Sequence, residues 1–160
     1  MVSLKWCCGI KDGLRLIEPN ERIGLGYLKM AKEALGTMNR EKDKNLRFSM
    51  SAGYYSFYYS LYAIMQKIGI KCEIHACSLE FMKKILFDFY SKEDFDLIDR
   101  ALIVRKNLQY YVDREANKSD LNLIWMKAYD FFVLSRDIFS KLNEDKIKFI
   151  RNKFQEENRK

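Results

Sequence analysis

A single proline and seven glycines in 160 residues exclude a fold of many short strands and tight turns, which needs those residues at its corners. The one histidine, His75, excludes a His-Glu-x-x-His metalloprotease helix, and no glycine-rich phosphate loop or nucleophile elbow is present. Four cysteines occur, but Cys72-Glu-Ile-His75-Ala-Cys77 is not a zinc-loop spacing, and completing a tetrahedral site would need Cys7 or Cys8 from far away. No metal and no cofactor are therefore expected. No apolar run is long enough to span a bilayer. Residues 1–16 carry Lys5, Lys11, Asp12 and Arg15 and lack the apolar core of a signal peptide. These absences predict a cytoplasmic protein without membrane contact, whose thiols stay reduced. The lysine- and isoleucine-rich composition also suits a thermophile, where intracellular disulfides do occur.

Hydrophobic residues make up 48 % and aromatics 14 % of the chain, enough for a sizeable core in one domain. With so few breakers, the expectation is an all-α fold of about five helices. The net charge of +7 and pI near 9.2 favour an acidic partner such as RNA or DNA, although the charge is spread with no arginine-rich arm.

Residues 1–19 are expected to form an arm packed on the body, residues 20–142 the helical domain, and residues 143–160 a charged extension, either frayed or docked on a partner. Asn20 predicts a helix N-cap ahead of Ile23, Tyr27, Met30, Ala31, Ala34 and Leu35. A second helix, about Phe48–Ile68, is apolar or aromatic on every side, as in a helix surrounded by others, and Gly69 should close it. Its aromatic series suits a core far better than a base-stacking platform. Ser78 and His75 are expected to cap the next helix. Ser91-Lys-Glu-Asp94 resembles a capping box, which makes the cluster Glu93, Asp94, Asp96 and Asp99 a cap and a solvated face. A last helix is expected from about Leu121 to Leu142.

Phe95–Val112 predicts an amphipathic helix with one anomaly. At about 100° per residue, Leu97, Ile98, Ala101, Leu102, Val104, Leu108, Tyr111 and Val112 share a broad apolar arc. Arg105 lies inside it. A guanidinium does not deprotonate in proteins, and burying it unpaired costs several kcal/mol. It must snorkel to water, or meet a carboxylate, a partner chain or a bound anion.

The order Tyr54-Tyr-Ser-Phe-Tyr-Tyr-Ser-Leu-Tyr62, Gly69, His75 and Arg105-Lys-Asn-Leu-Gln-Tyr110 resembles the HEPN superfamily, over about Asn20 to Leu142. The resemblance implies an up-and-down helical bundle and a homodimer, paired in toxin–antitoxin fashion with a minimal nucleotidyltransferase. Active members are metal-independent endoribonucleases in which an arginine, followed by a polar residue and then a histidine about one turn on, steadies phosphate while the histidine moves protons. Carried onto this chain, Arg105, Lys106 and Asn107 would bind RNA or another anion, Arg105 and Tyr110 would occupy the catalytic positions, and Tyr110 or Tyr111 would be the adenylylation target. Two residues depart from the pattern. Lys106 follows the arginine, and Tyr110 stands where the histidine belongs; a phenol with pKa near 10 is a poor base at neutral pH. Five residues also turn about 140° on an ideal helix, which sets Tyr110 away from Arg105. The alternative is a non-catalytic module that binds a nucleotide or a partner.

Overall fold

The computed structural model describes residues 2–159. Its elements are α1 (Leu4–Gly9), β1 (Arg15–Leu16), α2 (Glu21–Glu41), α3 (Leu46–Ile68), β2 (Ile70–Lys71), α4 (His75–Ile85), α5 (Lys92–Tyr110), α6 (Lys118–Lys141) and α7 (Glu144–Arg159). The fold is all-α, with seven helices among the described residues and one antiparallel pair, β1–β2, registering Arg15 with Lys71 and Leu16 with Ile70. No helix among the described residues is long and apolar enough to cross a membrane.

α3 is apolar all round because it is central. It packs against α2, α4, α5, α6 and α7, and every residue from Ser60 to Ile68 is buried. Local chemistry sets its ends: the Asn45 side chain accepts from the Phe48 N–H, and Gly69, at φ 83°, supplies the left-handed C-cap. A Cβ at Gly69 would lie 2.3 Å from Arg151 Nη1 and 2.5 Å from the Ile17 carbonyl oxygen. We expect Gly69→Ala to lower the unfolding free energy by about 2 kcal/mol or more, from left-handed backbone cost and displacement of Arg151. A urea titration checks this.

Asn20 caps α2 by accepting from the Ile23 N–H, and Ser91 and Asp94 form the reciprocal capping box of α5. Asp96 pairs with Lys92 and Asp99 with Lys83, both at the surface of α5. The buried stripe of α2, however, is Gly24, Leu28, Ala31, Leu35 and Met38. Ile23 and Met30 are exposed. The face is rotated because Gly24 lets the helix approach closely: a Cβ there would meet Phe139 at 2.6 Å and the Ala63 carbonyl oxygen at 2.9 Å.

Four further expectations change. The 143–160 tail, expected to be frayed or docked on a partner, is over its described residues a helix on the body of this chain: α7 packs on α1, α3 and α4 and buries Ile150 and Phe154. Arg151 Nη1 donates to the carbonyls of Ile17, Ile68 and Gly69, satisfying acceptors that the end of α3 leaves open. α4 begins at His75 behind Ile74, which makes no side-chain cap bond, and Ser78 lies a turn inside the helix, donating back to the Ile74 carbonyl. α5 ends at Tyr110, so Tyr111 and Val112 leave the apolar arc; Val112 is 92 % exposed. Finally, Cys7 and Cys77 form a disulfide, contrary to the expectation of reduced thiols. α1 packs against α4, which brings the two Cα atoms to 5.5 Å, within bridging range. Cys8 and Cys72 are free thiols.

Candidate anion site

Arg105 is only 8 % exposed. Its Nη2 donates to the Tyr55 hydroxyl at 2.9 Å, and its guanidinium carbon lies 5.4 Å from the Tyr54 ring centre, 5.0 Å from that of Tyr55 and 5.8 Å from that of Tyr110. Its Nε is buried with no hydrogen-bond partner. No carboxylate among the described residues forms an ion pair with it; Asp99, whose charge reaches Tyr54, is bound to Lys83. Three aromatic rings give a cation favourable quadrupoles but no acceptor for that N–H. A permanent charge is thus held inside the fold with one donor aimed at nothing. Such an arrangement suits a bound anion.

Three helices position it. α5 carries Arg105 one turn before its end, and that end is clamped by Arg47 of α3, whose guanidinium donates to the carbonyls of Leu108, Tyr111 and Val112. α3 carries Tyr54 and Tyr55. α4 brings the histidine. His75 Nδ1 is 2.5 Å from the Tyr54 hydroxyl oxygen, and its ring stacks on Tyr58 at 4.0 Å with planes 8° apart. Tyr54 is fully buried, and burial holds its phenol far above the usual range. It therefore donates to Nδ1, which places the ring hydrogen of the neutral imidazole on Nε2.

His75 is pushed down from 6.5 to about 4, by burial first and then by the positive charges of Arg105 and Lys106. The positive end of α4 acts in the same sense, because His75 is its first residue and Ile74 offers no capping oxygen. At neutral pH the imidazole is uncharged and the local field is positive. The depressed value also makes stability depend on pH. Between about pH 6.5 and pH 4 the unfolded chain takes up a proton that the folded chain refuses. Folding is therefore weakened as the pH falls through that window. His75→Gln should flatten that part of the pH profile relative to wild type, as followed by thermal melts across the window.

The other residues singled out in the sequence are divided. Lys106 is exposed and close enough to depress His75. Tyr110 is 62 % exposed, and despite the helical offset the length of the arginine brings the guanidinium beside its ring. Asn107 turns away, its Oδ1 accepting from Arg114 at 3.0 Å, and Tyr111 lies under that same Arg114, 3.6 Å from its guanidinium carbon. His75, expected as a helix cap, stands instead against Tyr54, within the field of Arg105. The apolar Ile74 before it was the available signal, since a helix start with no polar N-cap leaves room for an anion.

A cleft of about 690 Å³ opens elsewhere, between α5 and α6. Glu93, Asp94, Asp96 and Asp130 line it against Arg100 and Lys127, so its excess of carboxylates disfavours an anion. No group of His, Cys, Asp and Glu among the described residues could hold a metal ion. No protein-family model matches this chain, and neither the curated proteins nor the solved structures include a match to it.

Proposed function

We propose that this chain is a HEPN-type helical protein of a toxin–antitoxin-like pair, and that the Arg105–His75 site binds an RNA phosphate and cleaves the chain slowly without a metal. The observation that carries this reading is the buried Arg105, which among the described residues has no ion-pair partner and no hydrogen-bond partner for its Nε. In the proposed reaction the ribose 2′-oxygen attacks the adjacent phosphorus and the bond to the 5′-oxygen breaks, leaving a cyclic phosphate and a 5′-hydroxyl. Arg105 stabilises the extra negative charge on the phosphoryl oxygens. A bound phosphate offsets the part of the His75 depression that comes from Arg105 and Lys106, burial being the larger part. A solvent proton taken up at Nδ1, with the Tyr54 hydroxyl turning from donor to acceptor, then lets the imidazolium pass its Nε2 proton to the departing 5′-oxygen. With one acid–base group in the site, the 2′-hydroxyl proton leaves to water, and the expected rate is low.

His75 thus takes the role that the sequence pattern left to Tyr110. Phe48, Ile103, Tyr110 and Val112 are exposed apolar side chains, and Arg47, next to Phe48, clamps the end of α5 that carries Tyr110 and Val112. Their exposure supports a homodimer formed on this side. In the paired system Tyr110 is the better placed adenylylation target, being more exposed than Tyr111, on whose ring the Arg114 guanidinium stacks.

The test is cleavage of total RNA in excess EDTA by wild type, Arg105→Ala, His75→Gln and Tyr110→Phe. The reading expects cutting that disappears with the first two substitutions and persists with the third. Cutting that survives Arg105→Ala, or none by wild type, ends the enzyme reading. A second reading, a non-catalytic nucleotide- or partner-binding module, is favoured by the Tyr54–His75 bond, which occupies one imidazole nitrogen. It expects Arg105-dependent RNA retention with no product.

A further inference from the structure

The tyrosines of α3 separate into two sets, and the separation identifies what lies beside the phosphate. Tyr54, Tyr58 and Tyr62 are buried. Each hydroxyl is committed within the fold: Tyr54 to His75, Tyr58 to Ser78, and Tyr62 as acceptor for the Cys72 N–H. They belong to the core, as the aromatic pattern predicted. Tyr55 and Tyr59 are half-buried, one turn apart, with ring centres 5.2 Å apart and planes 25° from parallel. The strip continues to half-buried Tyr27 on α2, 5.9 Å from Tyr59.

We infer that the Arg105 site takes an unpaired ribonucleotide of a single-stranded RNA, with its phosphate on Arg105 and its base against the partly open strip Tyr55–Tyr59–Tyr27. The inference rests on the phosphate reading above and adds the base subsite. Three observations carry it. The strip begins at the cation, because the Tyr55 hydroxyl accepts from Arg105 Nη2 and its ring centre is 5.0 Å from the guanidinium carbon. One nucleotide reaches from its phosphate to its base over such a distance. The Tyr59 phenol is held neutral as well: burial, together with Tyr55 and Tyr27, raises it, so it puts no negative charge beside the phosphate backbone. Finally, the hydroxyls of Tyr27 and Tyr59 form no hydrogen bond with protein among the described residues. Packing alone would be served as well by phenylalanine.

The chemistry selects the strand type. A base inside a duplex is covered on both faces and cannot meet a protein ring, whereas an unpaired base offers its face to any aromatic side chain. Stacking of this kind tolerates all bases, so sequence preference should be slight. Neighbouring phosphates along the strand would pass the positive start of α4 and Lys106, which gives the binding a salt dependence.

The experiment compares three labelled ligands by fluorescence anisotropy on the full chain: a short single-stranded RNA, the same strand annealed to its complement, and an abasic strand with the same phosphates. We expect the single strand to bind about tenfold or more tightly than the abasic strand, the size of one base–aromatic contact, and the duplex to bind no better than the abasic strand. Tyr59→Leu should narrow the gap between the normal and abasic strands. The abasic comparison on wild-type protein stands even if that variant folds poorly. Equal affinity for normal and abasic strands, or duplex binding as tight as the single strand, overturns the base subsite while leaving phosphate binding intact. If Arg105→Ala leaves all three affinities unchanged, the phosphate reading itself fails.

Discussion

Replacing Arg105 with methionine is expected to stabilise the fold and silence the site. Methionine matches the stem of the arginine and fits an apolar arc, so the packing with Tyr54 and Tyr55 can be kept. What disappears is a buried positive charge that, among the described residues, has one direct hydrogen bond, to a phenol, and none at Nε. Replacing buried charge by an apolar residue of similar volume is commonly neutral or stabilising, by about 1–4 kcal/mol. We place Arg105→Met near 1 kcal/mol on the stabilising side, since three ring contacts are lost as well. Phosphate and RNA binding should fall at least about tenfold, the loss of a charge-assisted contact worth roughly 1.5–3 kcal/mol. Opposite signs in a thermal melt and a binding titration are the signature of a residue retained for its site. Destabilisation by several kcal/mol would instead mark Arg105 as a structural cation.

The second large effect concerns the disulfide. Cys7 and Cys77 are 70 residues apart in sequence, and closing a loop of that length restricts the unfolded chain by roughly 4 kcal/mol in the chain-entropy account. Reduction, or Cys7→Ser with Cys77→Ser, should lower the unfolding free energy by about that amount in a urea titration. The effect should also reach the site, because Cys77 lies in the first turn of α4, two residues after His75. Releasing α1 loosens the turn that sets the imidazole against Tyr54 and Tyr58. Thiol counting provides the control: the structure expects two reactive thiols in the unfolded, unreduced chain, from Cys8 and Cys72, and four after reduction.

What the sequence could and could not show follows from the range of each interaction. Asn20, Gly69 and the Ser91–Asp94 box are decided within one helical turn, and they stand where the pattern put them. The central position of α3 was legible because a helix apolar on all sides has to be enclosed. The buried arc of α5, with Arg105 inside it, was legible for the same reason. Its last turn was not: Tyr111 and Val112 continue the apolar period, but the backbone leaves the helix at Tyr110, where Arg47 takes up the end carbonyls. The α2 face was misplaced by about one residue because a glycine contributes no apolar signal, yet Gly24 is the point of closest approach. The role of α7 depends on Arg151 finding three carbonyls more than 80 residues away in sequence. The partner of Arg105 was hidden in the same way. Nothing local to His75 shows that α3 and α4 will set it beside Tyr54, so Tyr110, five residues along the same helix, looked like the natural companion.

The central claim is that Arg105 and His75 share one anion site, and the imidazole itself reports on it. His75 is the only histidine in the chain, so its ring proton resonances can be followed without assignment while pH is varied, with and without inorganic phosphate or a short single-stranded RNA. Free protein should titrate near 4. Bound phosphate, by cancelling the field of Arg105 and Lys106, should move the midpoint upward toward the ordinary histidine value of about 6.5, and Arg105→Met should abolish that response to the ligand. A His75 midpoint that neither ligand moves in the wild-type protein would contradict the account.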